Sequence, residues 1–327
     1  MDLMQYGVTH NIEDEVSYRF VAYLIGLLLA FESMLLLACC CVSIIYGERD
    51  LMSFIVSFAV CLSVSAILLV YGRRKKCAMS RNEGYIVVAL SWVFFSVFGM
   101  VPYLWGGFIP NITDAFFETM SGFTTTGATI LDNIESMPHG ILFWRSLTQW
   151  IGGLGIVCFT IVLLPGFGAS SQMLYLSEAT GVTHNKLCPK TRVMARYIFM
   201  VYILLTAVES ALLMAGGMGL FDAVCHSMTT TATGGFSTKQ ASIAYWHSPY
   251  IEYVVSLFML LSAINFSLYI VACKSKWKQL RKNTELKWFA CSVGLLTLVI
   301  SVVLFLNNGY GVEEAFRKSL FQVATCH

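Results

Sequence analysis

Charge is scarce in this chain. Of 327 residues, 21 are Lys or Arg and 19 are Asp or Glu, a charged fraction of 12%, where an ordinary soluble domain carries roughly a quarter. Hydrophobic residues make up 57%, and the mean hydropathy is +0.70. That deficit excludes a water-soluble globular domain and places the chain in a bilayer. Metal-ligand spacing is also missing. The 11 cysteines and the scattered His10, His139, His184, His226, His247 and His327 form no pattern that a helix or ribbon would present to an ion. Cys39, Cys40 and Cys41 fall within an apolar run, where a thiol packs as a small apolar group. There is no nucleophile elbow and no phosphate-binding glycine loop. An enzyme would need a polar pair that meets only in space, such as Glu209 with a histidine. The formal charge of +2 says little about partners, because in a membrane protein the distribution of positive residues carries the information, and nucleic acid is not among the expected partners.

What the chain does have is long apolar runs. Seven are long enough to cross about 30 Å of hydrocarbon at 1.5 Å per residue: roughly 20 to 46, 51 to 71, 85 to 105, 141 to 165, 197 to 219, 250 to 273 and 288 to 306. The first follows an acidic leader (Glu13, Asp14, Glu15) and is too long for the apolar part of a signal peptide, so it is expected to be retained. Sixteen of the 21 Lys and Arg residues are Arg19 or lie in three connections, Arg73 to Arg81, Lys186 to Arg196 and Lys274 to Lys287. Positive residues mark cytoplasmic connections. Seven alternating spans that start inside put all three connections on that side, so charge and parity agree.

Between runs three and four stands Thr124-Thr125-Thr126-Gly127, and a near copy, Thr231-Ala232-Thr233-Gly234, returns 107 positions later. Each copy follows a stretch too short to span, and each is followed by a full apolar run. The first short stretch is predicted as a half-helix at about 113 to 123, with Thr113 and Asp114 as suitable N-cap residues. Asn111-Ile112-Thr113 also matches a glycosylation sequon, a weak three-residue signal. Side by side, Asp114-Ala115 matches Asp222-Ala223 and Glu118 matches His226, with one residue of offset inside the half-helix. The unit reads span, half-helix, Thr-Gly strand, span, which is the architecture of an ion pore.

A dehydrated cation must exchange its water shell for other oxygens, and backbone carbonyls provide them without burying formal charge. Gly127 and Gly234 are expected to supply the unusual torsions and close approach such a strand needs. Thr124, Thr125, Thr126, Thr231, Ala232 and Thr233 complete the two expected filters, with potassium as the bound ion. Each half-helix would aim its carbonyl end at the ion path. Gln149-Trp150-Ile151-Gly152-Gly153-Leu154-Gly155 follows the first filter. Gly152 and Gly153 there suit either a helix packed behind the filter or ordinary small-residue helix packing. Ionisable groups at membrane depth are costly and usually paired. Glu118 and Arg145 are expected to pair and brace the filter. Glu32, Glu209 and Asn265 suit structural hydrogen bonds to neighbouring helices, with an ion or proton relay as the other reading of the two acids.

These motifs together resemble the Trk/Ktr/HKT superfamily of potassium transporters, most closely its bacterial TrkH branch. The resemblance rests on Phe117-Glu118-Thr119-Met120-Ser121-Gly122-Phe123 with TTTGAT, on Phe143-Trp144-Arg145-Ser146 with QWIGGLG, on Phe221-Asp222-Ala223 leading to TATGGFST at 231 to 238, and on the extra N-terminal pair of spans. It implies an all-α polytopic protein of span, pore-helix, span repeats around a pseudo-fourfold axis. It also implies an inner-membrane location, a homodimer and a cytosolic nucleotide-binding ring of the TrkA type. No covalently bound cofactor is implied, and potassium is the substrate. The expected organisation is a transmembrane hairpin over 1–80, a first repeat over 81–180, a second over 181–283 and an incomplete third over 284–327. Its half-helix is expected at Glu313 to Phe321, and no third filter quartet follows. Four filter walls are implied and two are present. The chain is therefore expected to be either part of a potassium uptake transporter or a truncated, non-transporting membrane protein with an assembly role.

Overall fold

Leucine, isoleucine and valine repeated without charged interruptions leave these segments no aqueous face, and a backbone in hydrocarbon must satisfy its own hydrogen bonds, which a helix does. The computed structural model describes residues 16–72, 81–155, 191–273 and 282–326, and among them every regular element is helical. Among the described residues, five helices are long and apolar enough to cross a membrane: Tyr18–Tyr46, Leu51–Tyr71, Asn82–Trp105, Arg196–Ala215 and Thr284–Asn307.

α1 (Tyr18–Tyr46) and α2 (Leu51–Tyr71) form the N-terminal hairpin. α1 ends at Gly47, whose left-handed φ of 65° lets its N–H close back on the Ser43 and Ile44 carbonyls. In lipid no hydrophobic drive brings two helices together, so small residues and interhelical hydrogen bonds do so. Ser65 Oγ donates to the Gly26 carbonyl at 2.7 Å, and Cys61 Sγ lies 3.3 Å from the Leu29 carbonyl. A Cβ on Gly72 would stand 2.4 Å from the Tyr23 backbone nitrogen.

The first repeat begins with α3 (Arg81–Gly99) and the short α4 (Val101–Trp105). Next comes the half-helix α5 (Ile112–Phe123), then α6 (His139–Gly153). Twelve residues make α5 about 18 Å long, too short to span. Its N-cap is Asn111, whose side chain accepts from the Thr113 N–H at 3.0 Å, so the capping group lies two residues before the expected Thr113. The second repeat contributes α7 (Thr191–Ala215), the half-helix α8 (Leu220–Thr231), α9 (Pro249–Ala263) and α10 (Phe266–Cys273). α11 (Thr284–Asn308) and α12 (Val312–Cys326) complete the described chain. α12 extends the expected third half-helix at both ends and packs against α9 and α11.

Two of the seven expected spans differ. Among the described residues, the helix in the fourth run, α6, ends at Gly153. Gly155 then adopts φ 73°, and its N–H bonds to the Gly152 carbonyl at 2.8 Å. Gly155 thus ends the helix, while Gly152 and Gly153 stay within it, and the rest of that run, 156–165, lies outside the described residues. The sixth run is broken at Ile264, which is extended (ψ 134°). The break frees carbonyls at the end of α9. The Leu261 carbonyl is satisfied by the Ile264 N–H at 3.2 Å and by the Tyr269 hydroxyl at 2.6 Å, and Asn265 stands where α10 begins. The basic segments 73–80, 186–190 and 274–281 also lie outside the described residues.

One apolar cluster, including Leu29, Phe54, Phe95, Phe123, Trp144 and Ile151, joins the hairpin to the first repeat. A smaller one around Leu213, Ile251, Val255 and Phe258 holds the second repeat together. The first cluster includes Phe123, Met228 and Ala232, so the loops that follow α5 and α8 sit on packed supports.

Candidate functional site

Both half-helices end in the same turn. After α5, the N–H groups of Thr124, Thr125 and Thr126 bond to the carbonyls of Met120, Gly122 and Ser121 at 2.9, 3.0 and 3.0 Å. After α8, those of Ala232, Thr233 and Gly234 bond to Met228, Thr230 and Thr229 at 3.2, 2.9 and 2.9 Å. Positive φ follows the same order: Thr125 at 54° and Gly127 at 75° in the first loop, Thr233 at 53° and Gly235 at 83° in the second. A non-glycine residue there is uncommon, and finding Thr at the same place twice marks a repeated backbone device.

This alignment corrects the register read from the sequence. Every equivalent pair is 108 positions apart, so Thr124, Thr125, Thr126 and Gly127 correspond to Ala232, Thr233, Gly234 and Gly235. Thr231 is not in the loop; it is the last residue of α8, buried, with its hydroxyl 3.4 Å from Glu209 Oε2. Gly234 does not carry the left-handed torsion either. Its lack of a side chain serves close approach, because a Cβ there would lie 2.4 Å from the Gln149 amide carbon.

The two loops touch. A Cβ on Gly127 would stand 2.0 Å from the Gly234 carbonyl oxygen. α6 packs behind both. A Cβ on Gly152 would lie 1.9 Å from the Phe123 carbonyl oxygen, and one on Gly153 would lie 2.7 Å from the Ala232 Cα. Trp144 Nε1 donates to the Gly99 carbonyl at 2.9 Å, which ties α6 to α3.

Glu118 and Arg145 meet at 2.8 Å, both essentially buried. Glu118 Oε1 also accepts from Thr129 Oγ1 at 2.9 Å, and Oε2 accepts from the Ile130 N–H at 3.0 Å. Arg145 Nη2 donates to Thr129 Oγ1 at 3.2 Å and Nη1 to the Ser237 carbonyl at 3.1 Å, while the guanidinium lies 4.2 Å from the centre of the Phe236 ring. One cation therefore holds the strand leaving each loop, using all three of its nitrogens.

In the second repeat His226 takes the place of Glu118. Its Nδ1 faces the Asp222 carbonyl at 2.8 Å and must donate, which leaves Nε2 to accept from the Ser237 hydroxyl at 2.9 Å. Ser237 corresponds to Thr129, again 108 residues on. Gln149, Thr129 and Ser237 were not singled out by sequence. The polar residue two places beyond each loop glycine was the available signal for the last two.

Thr126, Thr233, Gly234 and Gly235 line a cavity of about 480 Å³, walled on its far side by Phe321, Ala324 and Thr325 of α12. Glu209 stands behind the end of α8, and Glu32 is buried in the hairpin with Oε2 4.0 Å from Cys61 Sγ. Neither meets Glu118 or Arg145. Among the described residues no cluster of His, Cys, Asp or Glu could hold a metal ion.

Taken together, the helices define an all-helical, multi-pass membrane protein in which two half-helices end in the same loop. A family model described as TrkH, cation transport protein, matches residues 50–308. The Trk system potassium uptake protein TrkH of Vibrio parahaemolyticus is 35% identical over 317 residues, covering 95% of this chain and 65% of that protein. The TrkH of Halomonas elongata is 33% identical over 317 residues with the same coverage, and the TrkG of Escherichia coli K12 is 33% identical over 307. The crystal structure of the potassium transporter TrkH from Vibrio parahaemolyticus superposes with a TM-score of 0.81 at 34% identity, covering 95% of this chain and 64% of that one. The chain belongs to the TrkH family, and it spans about 65% of the length of the curated TrkH relatives it matches.

Proposed function

We propose that these residues form two adjoining walls of a potassium-selective conduit in a transporter for potassium uptake. The supporting observation is the pair of loops with one backbone conformation, in contact at Gly127 and Gly234 and tied to one buried arginine. Backbone oxygens of 124–127 and 232–235 would replace the ion's water, with Thr125 and Thr233 at matching levels. The carbonyl ends of α5 and α8 point into the same region and favour a cation there. Irregular backbone at membrane depth is tolerated where it lines a wet cavity, and the cavity beside both loops fits that role.

The relatives named above are potassium uptake proteins, which supports potassium as the substrate here. The bias of Lys and Arg toward three connections supports a cytoplasmic N-terminus and insertion in the cytoplasmic membrane. A homodimer gated by a TrkA-type nucleotide-binding ring completes the reading. The test is Gly127→Ser in the full-length gene product, expressed in a bacterium deficient in potassium uptake. Potassium-over-sodium preference should fall sharply, and an unchanged preference at normal membrane levels would overturn the filter assignment.

A further inference from the structure

Gln149 lies on α6, fully buried, at the point where the two loops meet. Its Oε1 accepts the Phe236 N–H of the second strand at 3.0 Å. That bond fixes which end of the amide is which, because only the oxygen can accept. Nε2 is the remaining end of the amide and would be 2.8 Å from a Cβ on Gly234. It would be 3.8 Å from a Cβ on Gly127, and it has no hydrogen-bond partner among the described residues. A buried amide donor without an acceptor is rare and asks for a reason. The space the amide fills exists only because residue 234 is glycine, since a Cβ there would lie 2.4 Å from both Cδ and Oε1. The same glycine's carbonyl abuts Gly127, so Gly127, Gly234 and Gln149 form one mutual contact in which both glycines are sterically required.

We infer that Gln149 is a positioning residue that sets the spacing of the two filter strands. Its oxygen is committed to the second strand, and its free N–H donors are held for the backbone carbonyls of the first strand around Gly127, directly or through a bridging water. A side chain that reaches only one strand could brace it but could not register the pair. One that grips both converts α6 into a common ruler for two walls of the conduit. This inference rests on the filter reading above, and it adds a determinant of selectivity outside the filter itself.

The test uses the full-length gene product in a bacterium deficient in potassium uptake, with uptake kinetics measured for potassium and competition measured for sodium and rubidium. Gln149→Met keeps the bulk and removes both polar ends. It should raise KM for potassium roughly five- to tenfold, the equivalent of one neutral hydrogen bond lost from the occupied state, and weaken potassium-over-sodium preference. Gln149→Glu keeps the shape and an acceptor for Phe236, and should show a smaller rise in KM. A merely structural glutamine would lower maximal uptake through lost protein at unchanged KM and unchanged ion preference, and that outcome overturns the inference. If Gln149→Met is absent from the membrane, Gln149→Glu decides: wild-type KM and preference in it overturn the inference. Gly127→Ser run in parallel separates the two readings. Selectivity lost in Gly127→Ser but intact in both Gln149 variants rejects only the role of Gln149, whereas selectivity intact in Gly127→Ser rejects the filter.

Discussion

In the first repeat a carboxylate, Glu118, stands beside the loop with a guanidinium to neutralise it. In the second, the equivalent His226 is held instead by the Ser237 hydroxyl and the Asp222 carbonyl. The loops differ as much in their own side chains. Thr124 Oγ1 donates to the Met120 carbonyl at 2.7 Å and lies 2.8 Å from Thr126 Oγ1, bonds that Ala232 and Gly234 cannot make. Yet the backbone bonds and positive torsions coincide, residue for residue. The repeat therefore conserves a backbone shape, and each copy reaches it with different chemistry. Arg145 links the two, since it neutralises the first copy and hydrogen-bonds the second.

The largest effect should come from breaking that link. Arg145→Met leaves the Glu118 carboxylate buried without its partner, at a cost of about 3–5 kcal/mol, so the purified protein should denature at markedly lower temperature. Adding Glu118→Gln removes the stranded charge and should restore part of the loss; a double variant less stable than Arg145→Met would contradict the pairing. A second contrast separates the two loop glycines. Gly127→Ala and Gly235→Ala each place a Cβ at positive φ, costing about 1–2 kcal/mol, but the first also collides with the Gly234 carbonyl whereas the second meets nothing within 4 Å. Potassium-over-sodium uptake should fall further in Gly127→Ala, and equal losses would mean that the loops are not in contact as described.

Smaller changes sharpen the asymmetry at 118 and 226. His226→Ala removes the acceptor for the Ser237 hydroxyl and should cost about 1–2 kcal/mol. His226→Glu, which imitates the first repeat without a dedicated arginine, should be worse. Thermal denaturation of the two side by side tests the order. Smallest of all is Glu209→Gln, which keeps an oxygen for Thr231 and should shift stability by under about 1 kcal/mol. A loss of uptake at normal protein levels in that variant would favour an ion or proton relay over a structural hydrogen bond.

Much of this was legible in the sequence. The half-helix expected at 113 to 123 is α5, one residue longer, and Glu118 does meet Arg145. Those signals are local or chemically forced: a short amphipathic stretch cannot span, and two opposite charges at membrane depth must find one another. The register of the second loop was not legible, because TTTG and TATG align best as letters at 107 while the half-helices fix the geometry at 108. Letter identity favoured Thr231, but helix length decided, and equal twelve-residue helices place Thr231 inside α8. The break at Ile264 was hidden in an unbroken apolar run, since the Tyr269 hydroxyl that makes it tolerable comes from the following helix. Gln149 was visible only as part of a glycine-rich motif. Its importance lies in what the two loops leave between them.

The cavity beside the loops has a consequence in time. Thr126 and Thr325 share its wall, although they lie 199 positions apart in the chain. At a synthesis rate of about 5–20 residues per second, the first loop exists for about 10–40 s before α12 is made. Residues of α12 can therefore join that wall only after both glycine loops have been synthesised.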